Sequence, residues 1–371
     1  MIKQIEKKNC LVYNYAQHYR SDIFRLMDRE LNCDFVFGDR MGDVKKLDYS
    51  ILGNFKKEVK NKKFLFKPLT YQKGVIKLLR EPYSKFIMLG DVHCISTWIM
   101  LVLIKIIRKK KIFLWSHGWY GRESLMKTLI KKVFFNMADG TFLYGNYARE
   151  LMIKEGCKAS KLFVIYNSLS YDAQVNLRRT LRLSSIYNDH FRNDFFNLIF
   201  VGRLTGVKRL DLLLDSLAIL ESQSHFFNLT LIGDGIINDY LKTKAQQLGL
   251  KRIWFYGATY DEKELSELIY NADLCVSPGN VGLTAIHSMT YGTPVLTHNN
   301  FPYQMPEFEA IIDGVTGTFF EYENSISLAD NIKRWFLISP ERELIRKHCF
   351  DVVDLKYNPH VQIEILKKHL I

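Results

Sequence analysis

The stretch Leu198-Ile-Phe-Val-Gly202-Arg203-Leu-Thr-Gly-Val-Lys208-Arg-Leu210 decides how this chain folds. An apolar strand ends at Gly202, a short loop carries Arg203 and Lys208, and an amphipathic helix opens at Leu210. The loop therefore brings two cations and the unpaired N–H groups of a helix N-terminus to one place, which suits a pyrophosphate. The same residues are also compatible with an ordinary strand-to-helix turn whose cations face water.

The residues that follow continue to alternate strand and helix patterns. Strands are predicted at 229–235, 253–257 and 272–278, and a helical pattern separates each from the next. This alternation predicts an α/β fold with a doubly wound parallel sheet. In such a sheet, ligands bind at the carboxyl ends of the strands.

Over residues 197–320, the order of landmarks is Gly-Arg…Lys, Gly-Asp-Gly, Phe-x-Gly, Ala-Asp…Ser-Pro, Gly-Leu and Tyr-Gly-Thr-Pro-Val. This order resembles the donor half of the family 4 retaining glycosyltransferases of bacterial polysaccharide and lipopolysaccharide biosynthesis. The resemblance implies the GT-B fold, in which two Rossmann-like domains face each other across a cleft. It places an acceptor domain at 1–180, with a helix at about 355–371 crossing back to it, and a nucleotide-sugar donor domain at 194–350. The polar stretch 170–193 is the predicted linker.

The same resemblance implies a set of donor-binding residues in the second half of the chain. They are Gly202, Arg203, Lys208, Gly235, Gly279, Asn280, Gly282, Leu283, Thr284, His287 and Glu307. For Glu307, a structural role as a loop carboxylate is the alternative.

One part of the donor half departs from the family pattern. The family has two glutamates eight residues apart, and Gly279 and His287 stand at the matching positions. Helical spacing places Asn280, Thr284, His287 and Tyr291 on one polar face, with Asn280 as the expected N-cap. We expect no carboxylate on this face. His287 is either a ribose contact or a packing histidine.

Two loops of the first half are candidates for catalysis and acceptor binding. His117 lies in a Gly-rich aromatic turn after a predicted strand, and related transferases place a histidine there against the donor sugar. A turn histidine bound to local backbone is the alternative. His18 and Arg20 follow the first strand, and we expect them to bind an acceptor hydroxyl or phosphate, or else to be structural.

The predicted mechanism depends on positive charge at the leaving group. Arg203 and Lys208 stabilise the departing pyrophosphate, and with His117 they form the predicted catalytic set. No Asp-x-Asp is placed for the task, so we expect neither a metal ion nor any other cofactor. The resemblance implies retention at the anomeric carbon. The lack of a nearby carboxylate favours front-face attack over double displacement.

The excess of positive over negative residues lies in the first half of the chain. The net charge is +13, with +18 in residues 1–190 and −5 in the remainder. An anionic membrane surface or a lipid-pyrophosphate acceptor fits this asymmetry, because 125–135 reads as a basic amphipathic helix. A solvated basic face is the alternative. Nucleic acid is not an expected partner, since no zinc finger, RNP-type sequence or Arg-rich recognition helix is present.

Other features bear on the compartment. Six cysteines are scattered without a Cys-x-x-Cys motif, which favours a reducing environment. No secretory signal is apparent at the N-terminus, and the longest apolar run, 95–107, is shorter than the ~20 residues that span a bilayer. We expect a cytoplasmic protein attached peripherally to the inner face of the cell membrane.

Together these features predict an enzyme that moves a hexose-type sugar from a UDP- or GDP-linked donor to a glycan or lipid-linked acceptor in cell-surface polysaccharide synthesis. One alternative is a catalytically silent protein of the same fold that binds glycans or sugar nucleotides. The retained Gly202, Arg203, Lys208 and His117 argue against it. The other is a nucleotide-sugar epimerase or hydrolase, which would have no need of a large basic surface.

Overall fold

The computed structural model describes residues 8–39, 44–64, 68–338 and 341–371, and the chain divides into two compact units. Unit 1 is Met1–Ser170 with Asn358–Ile371, and unit 2 is Tyr171–Tyr357. Each unit is an α/β structure built on a parallel sheet. The predicted fold class, α/β with two Rossmann-like halves, is confirmed.

The strands of the described residues are numbered in chain order. They are β1 (Lys8–Tyr13), β2 (Cys33–Gly38), β3 (Phe55–Val59), β4 (Asn61–Lys63), β5 (Thr70–Gln72), β6 (Tyr83–Leu89), β7 (Lys111–Ser116), β8 (Gly140–Leu143), β9 (Leu162–Val164), β10 (Asn197–Val201), β11 (Asn228–Ile232), β12 (Ile253–Gly257), β13 (Leu274–Ser277), β14 (Val295–His298) and β15 (Gly317–Phe320).

The α-helices of the same residues are numbered likewise. They are α1 (Ser21–Glu30), α2 (Ile95–Ile107), α3 (Leu125–Met137), α4 (Asn146–Lys154), α5 (Tyr171–Thr180), α6 (Ile186–Phe191), α7 (Leu210–Ser222), α8 (Asn238–Gln247), α9 (Glu262–Asn271), α10 (Leu283–Thr290), α11 (Ser325–Ile338), α12 (Arg342–Lys356) and α13 (Pro359–Leu370). Within the described ranges, none of these helices combines the length and the apolar character that crossing a bilayer requires.

The sheet of unit 1 is covered by helices on both faces. Its strand order is β3-β2-β1-β6-β7-β8-β9, and all neighbours are parallel, while β4 and β5 form a separate antiparallel pair. On one face, Leu101 of α2 and Phe134 of α3 are buried against the strands. On the other, Phe24 of α1 and Leu366 of α13 are buried. Burial on both sides explains why the strands are continuous apolar runs.

The sheet of unit 2 is also a parallel sheet with a buried centre. Its order is β12-β11-β10-β13-β14-β15, again parallel throughout. Leu198, Ile199 and Phe200 of β10 have no exposed surface, as expected for the central part of a doubly wound sheet. The change of strand order between β10 and β13 creates the switch point at which such sheets bind ligands.

The stretch predicted as a linker contains two helices, α5 and α6, which pack within unit 2. Arg178 donates two hydrogen bonds to the carboxylate of Asp354 (3.1 and 2.8 Å), and the Tyr187 hydroxyl donates to the Leu268 carbonyl (2.7 Å). Few side chains of α5 and α6 are buried, and these are Gln174, Val175 and Tyr187. Apolar periodicity therefore gave no sign of these helices.

Three loops at the carboxyl edge of the unit 2 sheet touch backbone to backbone. A Cβ atom at Gly233 would lie 1.9 Å from the carbonyl oxygen of Gly202, and one at Gly279 would lie 2.0 Å from that of Val207. Both distances are far below any real carbon–oxygen contact. Glycine at these positions is a packing requirement, because the loops after β10, β11 and β13 leave no space for a side chain.

We predict that Gly279→Ala lowers the free energy of unfolding by about 1–3 kcal/mol, because the new methyl group meets backbone that is held by two neighbouring loops. Gly206→Ala is the matched control, since a Cβ there meets no heavy atom within 4 Å. Urea denaturation of both variants measures the difference. Equal midpoints for the two variants would contradict the packing argument.

Candidate functional site

The loop that leaves β10 is fixed to the loop that leaves β11. The N–H of Gly202 donates to the Ile232 carbonyl (2.9 Å), and the N–H of Leu204 donates to the Asp234 carbonyl (2.9 Å). The chain then forms a single 3₁₀ turn at Gly206–Lys208 before α7 begins. These bonds give the short loop one conformation, so its side chains project from a rigid base.

The two cations of this loop differ in their surroundings. Arg203 is exposed, whereas Lys208 is partly buried and its Nζ donates to the carbonyl (2.6 Å) and side-chain oxygen (2.9 Å) of Asn280. Burial lowers the pKa of Lys208 to about 8; the carboxylate of Glu307 opposes this shift, and the charge of Arg203 contributes to it. An ammonium has three N–H donors, so one remains for a ligand.

The loop after β13 corrects one prediction. Asn280 does not cap α10. The N-cap is Gly282, whose φ is +56°. The Asn280 side chain instead accepts a hydrogen bond from Lys208. The buried amide of Gln304 holds this loop, because its Oε1 accepts the N–H of Val281 (2.9 Å). Asn280 lies before the helix, so it does not share a helical face with the residues that follow.

Close backbone packing explains why two of the predicted donor-binding residues, Gly279 and Gly235, are glycines. Gly279 stands where the family has a glutamate, and its place against the carbonyl oxygen of Val207 excludes any side chain. A Cβ at Gly235 would likewise lie 2.3 Å from the Leu204 carbonyl oxygen. These residues position the three loops, and they offer a ligand only backbone.

The α10 face that carries His287 has no carboxylate of its own, but His287 has a carboxylate partner from another helix. Its Nε2 lies 2.8 Å from Oε1 of Glu262, the first residue of α9. The same oxygen accepts from the Tyr291 hydroxyl (2.6 Å) and the Gln174 amide (2.8 Å). Burial of the carboxylate raises its pKa, but these hydrogen bonds outweigh burial and hold the pKa of Glu262 at about 2.

The remaining predicted donor residues lie around the same loops. Leu283 is the first residue of α10, and the Thr284 hydroxyl donates to the Val201 carbonyl (3.0 Å), tying α10 to the end of β10. Glu307 lies in the 3₁₀ helix Pro306–Ala310 and is 2% exposed. The charges of Glu307 and Arg203 both act on Lys208, whereas the roles of the three residues in donor binding stay predictions.

In unit 1, the turn after β7 is fixed by one carboxylate. Glu123 accepts the three N–H groups of residues 120–122 (3.0, 2.9 and 3.1 Å) and pairs with Lys131 (2.6 Å). Lys131 also donates to the carbonyl of Gly118 (2.9 Å). Glu123 and Lys131 therefore close the turn that carries His117.

The His117 ring packs on the ring of Tyr144, with centroids 4.7 Å apart. Its Nδ1 is buried and has no hydrogen-bond partner among the described residues, although the residue as a whole is partly exposed. Burial and the charges of Arg20 and Lys131 lower the pKa of His117 to about 4. The imidazole is therefore neutral at physiological pH, with Nε2 as the nitrogen that a ligand can reach.

The loop after β1 ends in a 3₁₀ turn, His18–Arg20. His18 is partly exposed, and its Nδ1 is 3.2 Å from the carbonyl of Lys45, to which it donates when that nitrogen is protonated. Arg20 is 6% exposed and lies among aromatic rings. Across the described parts of both units, no three His, Cys, Asp or Glu side chains cluster as metal ligands would.

Comparison with known proteins identifies the second half of the chain. Residues 188–348 match the family model described as Glycosyl transferases group 1. The chain is 26% identical over 199 residues to a Klebsiella pneumoniae protein named "Uncharacterized 41.2 kDa protein in cps region", a match that covers 53% of this chain and 51% of that protein. The chain thus spans about half the length of this curated relative.

Two solved structures share the fold of the whole chain. Anabaena HepE in complex with UDP superposes with a TM-score of 0.73 at 16% identity, covering 98% of this chain and 99% of that one. The lipopolysaccharide outer core galactosyltransferase WaaB gives a TM-score of 0.72 at 17% identity, covering 97% and 98%. The chain therefore has the GT-B fold, and residues 188–348 match the model of the Glycosyl transferases group 1 family.

Proposed function

We propose that this protein is a retaining glycosyltransferase. It moves a hexose-type sugar from a UDP- or GDP-linked donor to a glycan or lipid-linked acceptor in cell-surface polysaccharide synthesis. The observation that carries the proposal is the pair Arg203 and Lys208 on a loop made rigid by backbone packing at the switch point of a parallel sheet. The group 1 domain and the likeness to a structure solved with UDP support it.

The two cations act on the leaving group. The bond between the anomeric carbon and the β-phosphate oxygen breaks, and a bond from that carbon to the acceptor oxygen forms on the same face. The acceptor proton passes to the departing phosphate. Arg203 binds two phosphate oxygens through its planar guanidinium group, and Lys208 adds the positive charge of its ammonium group. Because both are preorganised, they stabilise the charge that develops in the transition state.

We assign the other predicted donor residues to the same ligand. The backbone of Gly202, Gly235, Gly279 and Gly282 lines the loops that the phosphates approach, with Leu283 and Thr284 at the N-terminus of α10. Asn280 orients Lys208, and Glu307 maintains its positive charge. His287 binds ribose hydroxyls, with Glu262 fixing its ring.

In unit 1, the neutral imidazole of His117 donates a hydrogen bond to a hydroxyl of the sugar. His18, whose ring is partly exposed, binds the acceptor. For Arg20, acceptor binding and a structural role were the two alternatives, and its burial favours the structural role. We assign no metal ion to the reaction, because Arg203 and Lys208 supply the charge that a divalent cation would.

We propose further that α3 of unit 1 attaches the protein to the cytoplasmic face of the membrane. Phe134 and Phe135 bury one side of α3, while the other side exposes large apolar side chains. They are Leu125 (92% exposed), Met126 (75%), Leu129 (62%), Ile130 (44%) and Val133 (48%). Lys127 and Lys132 are exposed among them. An apolar face bordered by lysines is the pattern of a helix that lies in an anionic interface.

We predict that Arg203→Ala and Lys208→Ala each lower turnover by roughly 10²-fold or more, the effect of losing one preorganised transition-state contact. Arg334→Ala removes an exposed cation from α11 and serves as the control. The assay follows nucleoside diphosphate released from UDP- and GDP-hexoses, with and without glycan or lipid-linked acceptors, in excess EDTA.

Each outcome of that assay decides one part of the proposal. Release that depends on an acceptor supports transfer, whereas equal release without one indicates a hydrolase. Near-full activity of Arg203→Ala would remove the loop from the mechanism. Activity that appears only after magnesium or manganese is added would contradict the assignment of the charge to the two side chains.

We predict that the protein binds vesicles of phosphatidylglycerol in preference to phosphatidylcholine, and that the double change Leu125→Gln and Leu129→Gln abolishes most of this binding. Ile236→Gln in unit 2 is the matched control, because Ile236 is also 92% exposed. Binding should weaken as salt rises, since exposed charges are screened over about 8–10 Å at physiological ionic strength. Sedimentation measures the bound fraction. An equal loss of vesicle binding in the control variant would indicate that α3 is an ordinary solvent-exposed helix.

A further inference from the structure

Arg20 is a buried cation enclosed by aromatic rings. Its guanidinium carbon lies 5.5 Å from the ring centroid of Tyr13, 5.9 Å from that of Tyr19, 5.4 Å from that of Trp115 and 5.3 Å from that of Tyr144. One terminal nitrogen donates to the Tyr144 hydroxyl, while Nε is buried without a partner. The residue keeps 6% of its surface exposed.

No carboxylate forms an ion pair with Arg20 in the part of the chain that the structure describes. A buried charge without an opposite charge is strongly destabilising, and cation–π contacts with ring faces offset only part of that penalty. An apolar side chain of similar size would fill the same space without it. A charge retained against such a cost points to a function.

The same rings connect Arg20 to His117. Tyr144 follows β8 directly, and its ring centroid lies 4.7 Å from the ring of His117 and 5.3 Å from the Arg20 guanidinium carbon. The hydroxyl of Tyr144 is also 3.1 Å from that of Tyr13, the last residue of β1. Trp115 lies in β7, two residues before His117. The carboxyl ends of three strands therefore hold the cation and the imidazole against one ring.

The surroundings of His117 disfavour its protonated form. An imidazolium needs an acceptor for each of its two N–H groups, but Nδ1 is buried and has none among the described residues. The ring is also faced by Tyr120 and Tyr144, which are neutral phenols, and by the charges of Arg20 and Lys131. Lys131 is paired with Glu123 at 2.6 Å, so Arg20 is the cation whose charge is uncompensated.

We propose that Arg20 is a positioning residue, whose guanidinium, held among aromatic rings and against Tyr144, keeps the His117 imidazole neutral. The use of the neutral imidazole on a sugar hydroxyl rests on the proposed function. The neutral state itself does not. Loss of the Arg20 charge should therefore raise the pKa of His117 whether or not the protein transfers a sugar.

The test is an NMR titration of histidine-labelled full-length protein without substrate. The ring resonance of His117 is assigned by its absence in His117→Asn. In the wild-type protein this resonance should not titrate between pH 8 and about pH 5, because the pKa of His117 lies at about 4. In Arg20→Met the midpoint should rise by about one pH unit or more toward the ordinary value of about 6.5, since a nearby like charge is removed.

Two matched variants separate charge from packing. Arg25→Met removes an exposed cation from α1 of the same unit and should leave the titration unchanged. Tyr144→Phe keeps the guanidinium but removes its hydrogen-bond partner, and it should shift the midpoint by less than half the Arg20→Met shift. An unchanged midpoint in Arg20→Met, or an equal rise in Tyr144→Phe, would overturn the proposal. Arg20→Gln replaces Arg20→Met if circular dichroism shows that the methionine variant is unfolded.

Discussion

The contact between the backbones of the loops after β10, β11 and β13 is the constraint on which the candidate donor site depends. The carbonyl groups of Gly202 and Val207 approach Gly233 and Gly279 so closely that no side chain would fit at either glycine. This close packing fixes the position of the loop that carries Arg203 and Lys208. The same contact excludes a glutamate at residue 279. The two cations at this edge of the sheet, Arg203 and Lys208, come from the β10 loop, and Asn280 orients the lysine.

Much of this arrangement could be predicted from the sequence, because it is local. Gly202, Arg203 and Lys208 lie between an apolar strand and an amphipathic helix, and that order sets them at the carboxyl edge of a parallel sheet. The start of α10 could not be placed in the same way. Asn280 is a good N-cap residue, but the positive φ of Gly282 delays the helix and frees Asn280 to bind Lys208. Propensity was overridden by a tertiary contact.

Partners that lie far away in sequence were also missed. Glu262 is 25 residues from His287 and reaches it from another helix, so no periodicity within α10 reveals it. Gln304 holds the loop before α10 by a side-chain bond to backbone, which has no sequence signature. In unit 1, the sequence singled out His117 and Arg20 separately. Their common contact, Tyr144, emerges only when the strands β1, β7 and β8 are aligned in the sheet.

If the Arg203–Lys208 loop binds a diphosphate, calorimetric titration should show that the protein prefers nucleoside diphosphates to monophosphates. Wild-type protein should bind UDP or GDP at least about tenfold more tightly than the corresponding monophosphate, because a charge-assisted contact contributes about 1.5–3 kcal/mol. In Lys208→Met this advantage should largely disappear. In the wild-type protein it should decline as pH rises through about 8, where Lys208 loses its proton. Equal affinities for diphosphate and monophosphate in the wild-type protein would show that the loop does not bind the second phosphate.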